Sequence, residues 1–270
     1  MLLKSGKIGK FTIAIGAVLV IIYGFRVHFL PTSLSEVEDL ILAPKNKSQT
    51  TSIPDFQKIR DIPTRKKAFF DFLSPAIEEQ NALITKERNF LQSVQKVLSS
   101  GNILDDGTQF KVTQLAKKYQ LSYRRFDSNT IKELLKRVDT VPQSLVLVQA
   151  ANESGWGSSR FAREGLNFFG QWCYRKGCGL IPSSRTNGLT HEVTVFPSVE
   201  ASIASYMRNL NSNAAYSLFR SIRYDLRKQG KQADAAELVY GLVNYSERQE
   251  AYIDELLDML RHNKKYLVQK

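Results

Sequence analysis

Between Ser144 and Asn152 the chain reads SLVLVQAAN, nine residues without a charge, of which only Ser144, Gln149 and Asn152 are polar. A helix that is apolar on nearly every side cannot lie on a surface and needs neighbours all round. The fold must therefore wrap other elements about one central helix. At 270 residues, 43% of them hydrophobic, the chain can bury a core of that kind and is not a disordered one. Pro142, preceded by Asp139 and Thr140, suits the first turn of this helix, and Gly155 suits the left-handed turn that stops it. Just before the stop stands Glu153.

Helical periodicity recurs on both sides of this segment. It runs over residues 64–100, where Pro75 reads as a helix start, and again in FKVTQLAKKYQL (110–121) and NTIKELLKRV (129–138). It returns in VEASIASYMRNL (199–210), AYSLFRSIRYDL (215–226), QADAAELVYGLV (232–243) and EAYIDELLDMLRH (250–262). Only residues 165–197 break the pattern, with glycines, two cysteines and the alternating GLTHEVTVF (188–196), which reads as a short strand or half a hairpin. Alternating strand and helix units are absent, as is even strand spacing. The expected fold class is α+β, predominantly helical, with one small β-hairpin element. The expected domain spans residues 64–265, with a helical part at 64–138 and the core of the site at 139–265.

Ahead of that domain, MLLKSGKIGK carries Lys4, Lys7 and Lys10 and leads into the uncharged run FTIAIGAVLVIIYGF, residues 11–25. Val27 to Leu30 lengthen the run if Arg26 snorkels, and no small-x-small cleavage site follows. Residues 1–30 are thus expected to be an uncleaved signal-anchor or transmembrane segment rather than a cleaved signal peptide. The lysines before it favour a cytoplasmic N-terminus and export of residues 31–270. The expected location is the bacterial inner membrane with the domain in the periplasm, or the periplasm alone if the segment is cleaved. Residues 31–63, rich in Pro, Ser, Thr and Lys, read as a flexible tether. The formal net charge of +12 calls for an anionic neighbour. For an exported chain without a recognisable nucleic-acid motif, that neighbour is an envelope polymer or lipid surface and not nucleic acid.

Cys173 and Cys178 are the two cysteines. A local disulfide suits an exported chain, with two unpaired thiols as the alternative. Metal binding is disfavoured, because two thiols without a second pair or a suitably spaced histidine leave a tetrahedral site half filled. Nothing implies a cofactor, and the sequence sets no oligomeric state.

Glu153 at the end of a buried helix meets two effects that oppose ionisation, desolvation and the negative end of the helix dipole. A carboxyl group that holds its proton near neutral pH is what general acid catalysis requires. The alternative turns Glu153 outward to pair with Arg160 or Arg163. Trp156, between two glycines, offers a flat wall for a sugar ring, and Asn167, Phe168, Phe169, Gly170 and Trp172 add aromatic faces and amide groups. Packing alone would equally account for Phe168 and Phe169. His191 reads as incidental.

The run QAANESGWGSSRFAREGLNFFG, residues 149–170, resembles the signature of the bacterial β-N-acetylglucosaminidase family that includes flagellar peptidoglycan hydrolases and autolysins. With GQWCYRKGCG added, it is similar to the Bax-type, membrane-associated branch of that family. The resemblance implies a lysozyme-like fold and hydrolysis of the β-1,4 glycosidic bond after N-acetylglucosamine in peptidoglycan glycan strands. It places the catalytic acid on Glu153, the second acidic residue on Glu192, and the tyrosine near the end of the domain on Tyr245, with Tyr252 following. Glu192, on a half-exposed strand, is expected to stay ionised and to activate water or stabilise an oxocarbenium ion, with Glu200 or Asp127 as substitutes. Two other readings remain. A lytic transglycosylase uses the acid without a water-activating partner, and a peptidoglycan-binding scaffold keeps the shape without the chemistry.

Overall fold

The longest element, α1 (Ile62–Ser99), begins where Asp61 accepts the Thr64 N–H at 2.9 Å and Pro63 fills the first turn. It runs unbroken through Pro75, which the sequence suggested as a start. A proline inside a helix removes one backbone hydrogen bond. Here Leu73, Ala76 and Ile77 are all buried around it, so packing of that face outweighs the local penalty. The computed structural model describes residues 53–183 and 191–267, all within one unit, Thr50–Lys270. The expected anchor at 1–30 and most of the expected tether at 31–63 lie outside the described residues. Among those described, no helix is long and apolar enough to cross a membrane.

The last part of the expected tether packs onto the domain. Phe56, in a 3-10 turn at Phe56–Lys58, is 2% exposed and meets Phe69 and Phe72 edge-on at centroid distances of 5.3 and 5.8 Å. Ile53 and Ile59 also pack against the core, so a few apolar residues among polar ones dock a segment that composition assigned to a linker.

After α1 come α2 (Asp106–Lys118), α3 (Ser128–Arg137), α4 (Gln143–Ser154) and the short α5 (Arg160–Gly165). Asp127, considered above as a substitute carboxylate, is the cap of α3 and accepts the Thr130 N–H at 2.8 Å. The central helix is α4. Leu145 to Ala151 are each at most 1% exposed, and α1 together with helices from the C-terminal part packs around them. Burying a leucine or valine contributes about 1.5–3 kcal/mol, so Leu145 to Val148 supply enough to hold one amide and one carboxyl group on the same helix.

A three-stranded antiparallel sheet follows, with β1 (Trp172–Cys173) and β2 (Gly179–Leu180) flanking β3 (Glu192–Thr194). Trp172 pairs with Val193, and Gly179 with Thr194. Gly179 has to be glycine, since a Cβ there would meet the Val193 carbonyl oxygen at 2.0 Å. The expected strand at 188–196 is shorter, and its residues 188–190 lie outside the described residues. The chain closes with α6 (Val199–Ser212), α7 (Ser217–Lys228), α8 (Ala235–Val239), α9 (Glu250–His262) and α10 (Lys264–Leu267). The helix expected over 232–243 is α only in α8 and tightens into a 3-10 turn at Tyr240–Leu242. There Gly241 lies so close to α7 that a Cβ would meet the Phe219 Cα at 2.3 Å. The architecture is the predominantly helical α+β fold expected from the periodicities.

The turn that launches α4 is pinned by a buried charge cluster. Asp139, 2% exposed, is gripped by Nε and Nη2 of Arg227, with Arg88 at 3.3 Å and Arg223 at 3.9 Å. Arg223, fully buried, also donates to the carbonyls of Asp139 and Thr140 at 3.2 and 3.1 Å. Burial pulls its guanidinium down to about 10 despite the opposing pull of Asp139.

Candidate active site

The ESGWG stretch folds as one rigid turn. Gly155, Trp156 and Gly157 all take left-handed backbone angles, with φ of 56°, 58° and 76°. For tryptophan this conformation costs about 1–2 kcal/mol, and nearby hydrogen bonds hold it. The Trp156 N–H donates to the Ala151 carbonyl at 2.8 Å, and the Gly157 N–H donates to Ser154 Oγ at 2.8 Å. Gly157 is also obligatory on contact grounds, because a Cβ would fall 2.6 Å from the Phe56 ring. The helix therefore stops abruptly, leaving Glu153 in its last turn.

Glu153 does not pair outward with Arg160, which instead donates to the Ile181 carbonyl at 2.7 Å. Its Oε1 accepts a hydrogen bond from the Tyr252 hydroxyl at 2.8 Å. Its Oε2 faces Gly170, an exposed glycine with φ of 64°, whose absent Cβ would stand 3.7 Å from that oxygen. Desolvation raises the Glu153 pKa, outweighing the Tyr252 hydrogen bond and Arg248, both of which lower it, while Glu255 adds to the rise. A proton-bearing carboxyl beside an open glycine can donate to an oxygen approaching from that side.

Aromatic groups build the wall behind this carboxyl. Tyr252 stacks on Tyr245 at 5.6 Å, and Tyr245 donates to the Phe169 carbonyl at 2.9 Å. Phe169 in turn stacks on Tyr206 at 4.0 Å. Of the two candidate tyrosines, Tyr252 touches Glu153 and Tyr245 braces the Phe169 loop. Sequence reading put Tyr245 first and passed over Tyr206 and Gln149. One signal was present: Gln149 lies four residues before Glu153, hence on the same helix face, and is polar in an otherwise apolar run.

Several residues expected to face substrate serve the scaffold. Phe168 is fully buried against Phe69 and Phe72. Asn167, 1% exposed, uses Nδ2 to reach the Gln171 and Thr194 carbonyls, both at 2.9 Å, and Oδ1 to accept the Phe169 and Gln171 N–H groups. It ties the glycine loop to the sheet. Phe169 is 2% exposed, so it supports the wall from within. Trp156 packs on Phe69 and Phe70 at 5.7 and 5.2 Å and, with Phe56, Ile62, Arg65 and Lys66, lines a cavity of about 310 Å³. Trp172 remains an open aromatic surface, 55% exposed and stacked on His191 at 4.3 Å. The histidine noted as incidental is the support of that ring.

Glu192 differs most from expectation. It is 4% exposed rather than half-exposed, and its two oxygens accept the Gly177 and Gly179 N–H groups at 2.9 and 2.8 Å. Cys173 and Cys178 form the local disulfide, and the Gly177 and Gly179 N–H groups on either side of Cys178 cradle the carboxylate. Both sulfurs lie near Glu192, and their bond to each other removes them as thiolate ligands. Glu200, the other substitute, is exposed in the first turn of α6.

The sequence profile of the Glucosaminidase family, described as mannosyl-glycoprotein endo-beta-N-acetylglucosaminidase, matches residues 128–265. Over 227 residues the chain is 35% identical to Protein bax of Escherichia coli (strain K12), covering 83% of this chain and 78% of that one. The chain belongs to the glucosaminidase family. No solved structure matches it significantly. The family match begins at the first residue of α3 and takes in Glu153, Gly170, the sheet and Tyr252, so the site lies wholly within it. Helices α1 and α2 precede the match, yet α1 packs directly on the glucosaminidase core through α4 and α6.

Proposed function

We propose that this glucosaminidase-family chain is a peptidoglycan hydrolase that cleaves the β-1,4 glycosidic bond after N-acetylglucosamine, with Glu153 as general acid. The observation that carries the reading is the Glu153 carboxyl: desolvation holds it toward its protonated form, Tyr252 fixes Oε1, and Oε2 opens toward Gly170. A glycosidic oxygen lying over Gly170 receives the proton as its bond to the sugar carbon breaks. Trp172 offers a stacking surface for a neighbouring sugar ring. The apolar run at 11–25 tethers the domain to the outer side of the inner membrane, where the basic chain meets anionic envelope polymer.

Glu192 is the second carboxylate in this reading, and activating water there has to overcome its burial, with each oxygen already accepting one backbone N–H. That engagement favours a second reading, a lytic transglycosylase, which needs the acid alone. One experiment separates them. The full chain in detergent is incubated with purified peptidoglycan, and the products are reduced with borohydride and analysed by mass spectrometry. Reduced N-acetylglucosamine ends, absent with Glu153→Gln, support hydrolysis; anhydro products support the transglycosylase. No products from the folded chain refute both.

A further inference from the structure

Behind Glu153 runs a buried line of polar groups that the acid role does not by itself require. Tyr206, fully buried on α6, donates its hydroxyl hydrogen to Gln149 Oε1. Gln149, also fully buried, donates from Nε2 to the Tyr252 hydroxyl oxygen at 2.9 Å, and Tyr252 donates onward to Glu153 Oε1 at 2.8 Å. An amide has distinct donor and acceptor ends, whereas a hydroxyl can serve as either. In this arrangement both hydroxyl hydrogens, of Tyr206 and of Tyr252, have acceptors. The reverse arrangement, with Gln149 Nε2 toward Tyr206 and Oε1 toward Tyr252, would take away the acceptor of the fully buried Tyr206 hydroxyl and draw the Tyr252 hydrogen off Glu153.

We propose that Gln149, backed by Tyr206, is a positioning residue: it sets the direction of the Tyr252 hydroxyl and so places the acidic proton of Glu153 on Oε2, facing Gly170. Because Tyr252 already donates to Oε1, that oxygen is held as an acceptor and the carboxyl's own hydrogen resides on the other. Without the amide, the Tyr252 hydroxyl is free to turn, and the proton is shared between an oxygen that faces the open side and one that faces the tyrosines. The role of the proton rests on the general-acid reading above. The hydrogen-bond direction does not.

Other ionisable groups bear on Glu153. Tyr252 and Glu255 face it from α9, Arg248 from the loop before α9, Tyr206 from α6, and Tyr245 and Tyr216 from neighbouring turns. Arg248 and Glu255 pair with each other, and their effects on Glu153 are opposed. Loss of the Tyr252 donor leaves a measurable change.

The test is NMR titration of Glu153 in the full chain carrying 13C-carboxyl glutamate, with its signal assigned by Glu153→Gln. Tyr252→Phe and Gln149→Met, which lacks polar atoms at nearly the same volume, are each expected to raise the Glu153 midpoint by about one pH unit. In the Tyr252→Phe background Gln149→Met should add nothing, because its effect passes through that hydroxyl. If Gln149→Met does not fold, Tyr206→Phe carries the test. It removes only the hydroxyl that holds the amide in place, and should raise the midpoint with Tyr252 present but not with phenylalanine there. An unchanged midpoint, or equal shifts in both backgrounds, overturns the proposal. Turnover is not the readout, so a chain without glycosidase activity that titrates as expected refutes the functional reading and leaves the hydrogen-bond direction standing.

Discussion

Replacing Asp139 tests how the position of Glu153 is secured from the opposite end of its helix. The carboxylate is 2% exposed and faces three guanidiniums: Arg227 through two hydrogen bonds, Arg88 at 3.3 Å and Arg223 at 3.9 Å. Arg223 would be left with an uncompensated charge, since its side chain is 0% accessible and cannot swing into solvent. Breaking a buried pair by deleting one partner costs about 3–5 kcal/mol, chiefly from the charge left behind. Asp139→Asn keeps the shape and one acceptor and should cost about 3 kcal/mol, with Asp139→Ala costing about 5 kcal/mol. For a domain of this size 3 kcal/mol lowers Tm by roughly 6–12 °C. Urea unfolding at neutral pH measures the loss, and a cycle with Arg227→Ala isolates the pairing energy. Arg227 is 34% exposed, so Arg227→Ala alone should be milder. A loss below about 1 kcal/mol for Asp139→Ala would refute the argument, by showing that the arginines are satisfied by backbone carbonyls alone.

Two further outcomes follow from the geometry. Folding raises the Glu153 pKa above its ordinary 4.5, so the folded state holds that proton more tightly than the unfolded state does. The wild type should therefore lose stability relative to Glu153→Gln as pH rises through the folded pKa, with no such loss below the ordinary value; urea titrations at several pH values check the sign. Phe56→Ala should destabilise the domain by about 3 kcal/mol in the same assay, because a docked aromatic is removed; a neutral result would mean that residues 53–60 act only as a linker.

What the sequence by itself determined was local in origin. An uncharged run names a central helix because its faces have no water-compatible side, and the ESGWG spacing ends it abruptly because two glycines flank the left-handed tryptophan. Together these put Glu153 at a buried helix end, and an i, i+4 spacing put Gln149 beneath it. The export-compatible cysteine pair was legible in the same way, as a five-residue separation that closes on itself. Only the tertiary structure decided which groups meet that acid. Tyr252 lies 99 positions away and reaches Glu153 where Tyr245 does not, because α9 turns its ring toward the acid while the turn before α9 points Tyr245 at the Phe169 carbonyl. Asn167 and Phe168 turn inward, Glu192 is cradled by two amides, and Asp139 gathers arginines from α1 and α7. Residue type announces what a side chain can bond; the packing of distant elements settles which partner it reaches, because that choice is not encoded in nearest neighbours along the chain.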